Sequence, residues 1–172
     1  MAILDILTYG NPLLRIKAEA VLEVTDELAD LAEDMLDTMY DAPGIGLAAP
    51  QIGKSIQLIV VDVSTDENPE EPYILFNPKI IPESEPIPME EGCLSVPGVF
   101  AEVIRPEIIT VKAMNIDGEP VEYSKIDGML SRCIQHEIDH LNGILFVDKL
   151  KPTDKALYES KLKKMARSAK RP

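Results

Sequence analysis

The chain has 172 residues, 45% of them hydrophobic, a mean hydropathy of -0.01 and a formal net charge of -13. That length suits one catalytic domain spanning 1–172 with a sizeable core. The acidity argues against general binding to nucleic acid or anionic membranes, and no apolar run approaches the ~20 residues of a membrane span. MAILDILTYG lacks the basic-then-apolar pattern of an export signal, so the two cysteines are expected in a reducing cytoplasm, as ligand or core residue rather than as a disulfide.

Gly10-Asn11-Pro12 is a turn signal. From Thr25 to Tyr40, Leu28, Leu31, Met35 and Met39 share one face behind a Thr25 or Asp26 cap, which predicts a helix ended by Pro43. GIGLAAPQ, Gly44 to Gln51, is small and apolar with neither helical nor strand period. Ile56 to Val63 (IQLIVVDV) is rich in β-branched residues and predicts a buried strand, followed by an exposed loop from Thr65 to Pro72. Tyr73 to Ile81 predicts a strand interrupted by Pro78, and Pro82, Pro86 and Pro88 keep the chain extended near an edge. EEGCLSVPGV, Glu90 to Val99, has no strong period. Ala101 to Ile104 and Ile108 to Met114 predict strands broken around Pro106, and Asp117-Gly118 a hairpin turn into Val121 to Tyr123.

The next stretch, Ser124 to Gly143 (SKIDGMLSRCIQHEIDHLNG), organises the rest. Ile126, Met129, Leu130, Cys133, Ile134, Ile138 and Leu141 recur at helical spacing, and Asn142-Gly143 supplies a left-handed stop. ILFVDKL is then a short apolar segment. Pro152 introduces a last helix, capped by Thr153 or Asp154, with Tyr158, Leu162 and Met165 inward. Strands clustered between flanking helices predict an α+β fold: largely antiparallel sheets packed around the central helix, with an N-terminal and a C-terminal helix.

At about 100° per residue, Met129, Cys133, His136 and His140 fall on one stripe of the central helix, with Glu137 at its edge. Two imidazoles one turn apart can grip a metal ion, and a glutamate between them can handle a proton beside it. The plainer alternative is a core helix with two satisfied histidines. Against that alternative, these are the chain's two histidines and both flank Glu137 in HExxH spacing. A catalytic site of this kind wants a third protein ligand and an open position. No imidazole remains, and Cys93 in EEGCLS, beside Gly92, is the candidate, whereas Cys133 lies in the helix's apolar stripe and fits a core residue.

Three separated stretches, GIGLAAPQ, EGCLS (Glu91–Ser95) and QHEIDHLNG (Gln135–Gly143), resemble in order and spacing the signature motifs of the bacterial peptide deformylases. The likeness covers nearly the whole chain and is nearest to the type 1 branch. It implies removal of the formyl group from N-terminal formylmethionine of nascent chains, with release of formate, by a metal-bound hydroxide. It implies Cys93, His136 and His140 as metal ligands and Glu137 as general base and acid. Gln51 and the backbone N–H of Leu94 match the oxyanion donors, and Gly44, Ile45, Gly46 and Leu47 the edge along which the peptide lies. The methionine side chain needs a flexible apolar pocket, for which Ile45, Met89, Met129 and Cys133 are candidates. Glu91 would stand beside the metal centre as a near-buried acid paired with Arg105; Asp139 has no assigned role.

By ligand type a thiolate with two imidazoles suits Zn2+, whereas the resemblance implies one Fe2+ per chain, with Ni2+ or Co2+ substituting. From Lys161 to Pro172 the chain carries six basic residues and no acidic one, either a solvated helix end or a contact for ribosomal RNA. A rival reading, a zinc endopeptidase with Glu159 as third ligand, leaves GIGLAAPQ and EGCLS unexplained. A second rival, a metal that merely staples the fold, would need a fourth protein ligand, for which the core-like Cys133 alone is left.

Overall fold

The structure, a computed structural model, describes residues 2–69 and 71–169. Helix α1 spans Asp26–Asp41, capped as expected by Thr25, whose hydroxyl accepts from the Leu28 N–H at 3.2 Å. GIGLAAPQ folds into strand β1, Gly46–Ala48, and a 3-10 turn, Ala49–Ile52. Its three-residue strand is too short to show a period. Strands β2 (Leu58–Val61) and β3 (Tyr73–Pro82) follow. Pro78 does not interrupt β3: the pairing with a later strand shifts register between Phe76 and Lys79, and this bulge accommodates the proline.

EEGCLSVPGV, which shows no period, is the tip of a hairpin between β4 (Pro86–Cys93) and β5 (Val96–Pro106), where Cys93 faces Val96. Strands β6 (Ile109–Met114) and β7 (Pro120–Ile126) complete the sheets. Helix α2 spans Gly128–Leu141, so Ser124 to Ile126 belongs to β7 and not to the helix. Positive φ angles of 51° at Lys125 and 63° at Gly128 make the sharp change from strand to helix. Helix α3 runs Pro152–Ser168, and its N-cap is Lys151 rather than Thr153 or Asp154, with Pro152 in its first turn. Of the six basic tail residues, Lys170 and Arg171 lie outside the described residues.

The fold is α+β. One antiparallel sheet has the order β1-β2-β3-β6-β7, and the β4–β5 hairpin forms a second. The four residues of β2 are all buried because helices cover both faces. Leu58 and Val60 join Met35, Leu36 and Met39 of α1, while Ile59 and Val61 join Cys133 and Ile134 of α2. A third cluster packs Val99, Ala101 and Val103 of β5 with Phe146 and with Leu162 of α3. Helix α2 is thus wedged between the main sheet and the hairpin, and β1 is the sheet's open edge beside it.

Candidate active site

Helix α2 ends where the sequence predicts. Gly143 takes a φ of 73°, the Ile144 N–H reaches back to the Asp139 carbonyl at 2.9 Å, and a Cβ on Gly143 would stand 2.6 Å from the Arg15 carbonyl oxygen. That seals His140 into the helix's last turn. One turn earlier His136 faces the hairpin. Cys93 comes from the hairpin's tip, just past a register shift between Glu91 and Cys93. The Cys93 thiol and one nitrogen of each imidazole lie within 4.8 Å of one another, with Cys93 Sγ 3.4 Å from His140 Nε2.

Glu91 fixes the ring of His136. Its Oε1 lies 2.9 Å from His136 Nδ1, which leaves Nε2 to face the thiol and the other imidazole. Arg105 grips the same carboxylate through Nε at 2.6 Å and Nη2 at 3.0 Å, and Arg132 adds Nη1 at 3.1 Å. Arg105 also donates to Asp139 at 2.7 Å, and Lys149 pairs with Asp139 at 3.2 Å. Asp139 therefore holds the outer end of this network. Burial works against the Glu91 carboxylate, but hydrogen bonds from His136 and Arg105 outweigh it and bring its pKa down to about 2. Burial likewise opposes charge on His136, yet hydrogen bonds to Cys93 and Glu91 raise it to about 10. His140, buried and next to that charge, is pushed well down. The set of one thiol and two imidazoles, with their donor atoms converging, fits a divalent cation.

Glu137 lies beside this group. Burial raises its carboxyl to about 7, and its Oε1 is buried with no hydrogen-bond partner among the described residues, 4.0 Å from His140 Nε2. Gly46 of β1 closes over it: a Cβ there would stand 2.5 Å from Glu137 Oε2 and 2.6 Å from Cys133 Sγ. Gln51 is buried, its Oε1 accepting from the Ala48 N–H at 2.8 Å and its Nε2 donating to Ser95 Oγ at 3.0 Å.

These groups border a cleft of about 710 Å³, whose walls include Gly44, Ile45, Leu94, Phe100, Met129 and Cys133. Two expected residues have side chains outside this cleft. Leu47 is fully buried in the cluster under α1, because strand alternation turns it away from α2 while Gly46 faces it. Met89 borders a separate small cavity with Ile87 and Pro106. It shares the inward face of β4 with Cys93 but lies four residues away, about 13 Å along a strand. Glu91, expected beside the metal centre as a near-buried acid paired with Arg105, has both oxygens taken by Arg105, Arg132 and His136. Glu159 is exposed on α3, paired with Lys163 at 3.1 Å, and is not part of the converging group. Arg132 is not among the expected site residues; its signal in the sequence is a cation one turn before His136, at the edge of the histidine stripe.

A family model described as polypeptide deformylase matches residues 3–156. A peptide deformylase from Acinetobacter baumannii (strain SDF) is 49% identical over 172 residues, covering 99% of this chain and 96% of that protein. Among solved structures, a peptide deformylase from Legionella pneumophila is 45% identical, with a TM-score of 0.87 over 96% of each chain. One from Ehrlichia chaffeensis in complex with actinonin is 37% identical, with a TM-score of 0.87, covering 98% of this chain and 100% of that one.

Proposed function

We infer how this chain works from the premise that it belongs to the polypeptide deformylase family and is a metal-dependent hydrolase that removes the N-formyl group of formylmethionyl peptides and nascent chains. Its 172 residues act as one catalytic domain. Cys93, His136 and His140 would hold the ion, and Glu91 on His136 Nδ1 would leave Nε2 free to serve as the ligand atom. A divalent ion there supplies Lewis acidity and makes a water nucleophilic at neutral pH. We assign Fe2+ as the native ion, as the resemblance implies, with Zn2+, Ni2+ or Co2+ as substitutes.

Glu137 takes a proton from the attacking water as its oxygen bonds to the formyl carbon. It returns the proton to the amine as the C–N bond breaks, and formate and the free N-terminus leave. A carboxyl raised to about 7 is suited to both halves of that exchange. Gln51 Nε2 and the Leu94 N–H donate to the oxygen on which negative charge grows, adding no charge of their own. The peptide lies along β1. Ile45 turns its carbonyl to the Asp62 N–H of the main sheet, so by alternation Gly46 turns its N–H and C=O to the open edge, where an extended chain can pair. Ile45, Met129 and Cys133 wall the methionine pocket.

The observation that carries this reading is the convergence of one thiol and two imidazoles within 4.8 Å beside Glu137 Oε1, which has no hydrogen-bond partner among the described residues. Its test is to give the protein formyl-Met-Ala and internally cleavable peptides and to assay formate and fragments. Formate without fragments is expected; fragments without formate would favour an endopeptidase.

Lys164 and Arg167, exposed on α3, are candidates for docking on ribosomal RNA. Among the described residues no helix is long and apolar enough to cross a membrane.

A further inference from the structure

Two arginines hold Glu91, and only Arg105 was expected. Arg132 stands on α2 one turn before His136 and is 4% exposed. Besides Glu91 Oε2 at 3.1 Å, its Nη1 donates to the Val103 carbonyl at 2.7 Å, and its Nη2 donates to the Ile87 carbonyl at 2.9 Å. Ile87 belongs to β4 and Val103 to β5. One guanidinium therefore ties the helix that carries His136 and His140 to both strands of the hairpin that carries Cys93. It does so while holding Glu91, whose other oxygen meets His136 Nδ1 at 2.9 Å.

We propose that Arg132 is a positioning residue of the metal centre: its planar fork sets the spacing between the Cys93 hairpin and the histidine helix and keeps Glu91 against His136. Three acceptors, two on β4 and one on β5, are met by one rigid group on α2, which a lysine ammonium, a point charge on a flexible stem, cannot reproduce. A merely structural arginine would lower global stability on removal and leave the metal alone. A merely electrostatic one would act with the opposite sign. A buried cation near a metal site repels the metal, so its loss by itself tightens metal binding. Loss of positioning weakens it, because the three donor atoms come from two elements and no longer converge.

The proposal rests on the reading of Cys93, His136 and His140 as ligands. The test is competition with a chromophoric chelator for Co2+, together with the visible spectrum of the Co2+ protein, in wild type, Arg132→Met, Arg132→Lys and Cys93→Ala. Removing a partner that orients a ligand typically costs about 10–100-fold in metal affinity. Arg132→Met is expected to lose that much and to shift the cobalt bands. Arg132→Lys, which keeps the charge without the fork, is expected to lose several-fold and serves as the deciding variant where the Met form does not fold. Affinity equal to or tighter than wild type with unchanged bands, in whichever variant folds, overturns the role of Arg132. Cys93→Ala is expected to bind Co2+ far more weakly. Retention of wild-type affinity there overturns both the ligand reading and the proposal. Loss there with wild-type behaviour in the Arg132 variants overturns the proposal alone.

Discussion

Helices α2 and α3 have similar lengths, 14 and 17 residues, and both carry many polar side chains, yet they do opposite things with them. Helix α2 buries Ser131, Arg132, Gln135, His136, Glu137 and His140, whereas α3 buries Leu162 alone among its described residues. The contrast is clearest between two glutamates. Glu137 sits at low dielectric, where burial raises it to about 7. Glu159 meets Lys163 one turn away at the surface, in a contact of a kind worth about 0–1 kcal/mol. Identical chemistry becomes a proton carrier in one place and a solvated ion pair in the other. What differs is the layer outside: α2 is wedged between two sheets, and all but two of its buried side-chain nitrogens and oxygens, Glu137 Oε1 and His140 Nδ1, have a hydrogen-bond partner among the described residues.

The contrast breaks most visibly at the metal. Cys93→Ala is expected to lose most bound metal and all formate release, while Glu159→Ala binds metal and turns over as wild type. Metal analysis on folded protein, with far-UV CD unchanged, would show the reverse pattern if α3 supplied a ligand. Next in size is Gln51→Leu, expected to lower kcat by roughly 10²-fold through loss of an oxyanion donor. An unchanged kcat would leave the amide only its structural bonds to Ala48, Ser95 and Cys93 Sγ.

Acid sharpens the same contrast in stability. Glu91 has a folded pKa near 2 against an ordinary value of 4.5, so its contribution is fully present above about pH 4.5 and is lost as pH falls toward 2. The loss is on the order of 3 kcal/mol. Urea unfolding of chelator-treated protein at pH 6 and pH 3 should show Glu91→Gln less stable than wild type at pH 6 and the gap closing at pH 3. A gap independent of pH would remove the carboxylate from the account. The smallest effect is on α3. Substituting Lys164 and Arg167 by Glu should leave turnover of short formyl peptides within twofold and weaken ribosome co-sedimentation, more steeply so as salt is raised. Truncation after Glu159 is the cruder cut, since it also removes Leu162 from beneath β5. Co-sedimentation undiminished by the charge reversals would reject that docking surface.

Much of this was legible in the sequence where a period repeats long enough to be read. Helix α1, with its Thr25 cap, and β2, with its unbroken LIVV, follow from local pattern. The grouping of Cys93 with His136 and His140 follows from motif chemistry. The start of α2 was misread because Ile126 fits the helical period, while the positive φ angles that turn β7 into α2 leave their only plain mark at Gly128. Met89 was misplaced because a period of two gives the face of a strand and not the distance along it. The network around Glu91 was half visible. Arg105 could be paired through a resemblance, but Arg132 and Asp139 gain their partners only when hairpin and helix pack, which is long-range information that no local window holds.

The central claim is that Glu137 moves the proton and takes no part in holding the ion. Its most direct test measures metal content and formate release from formyl-Met-Ala on the same preparation of Glu137→Gln. The account predicts one bound ion per chain, as in wild type, and a fall in kcat of about 10²–10⁴-fold. Near-normal turnover with the ion bound, or loss of the ion itself, would contradict it.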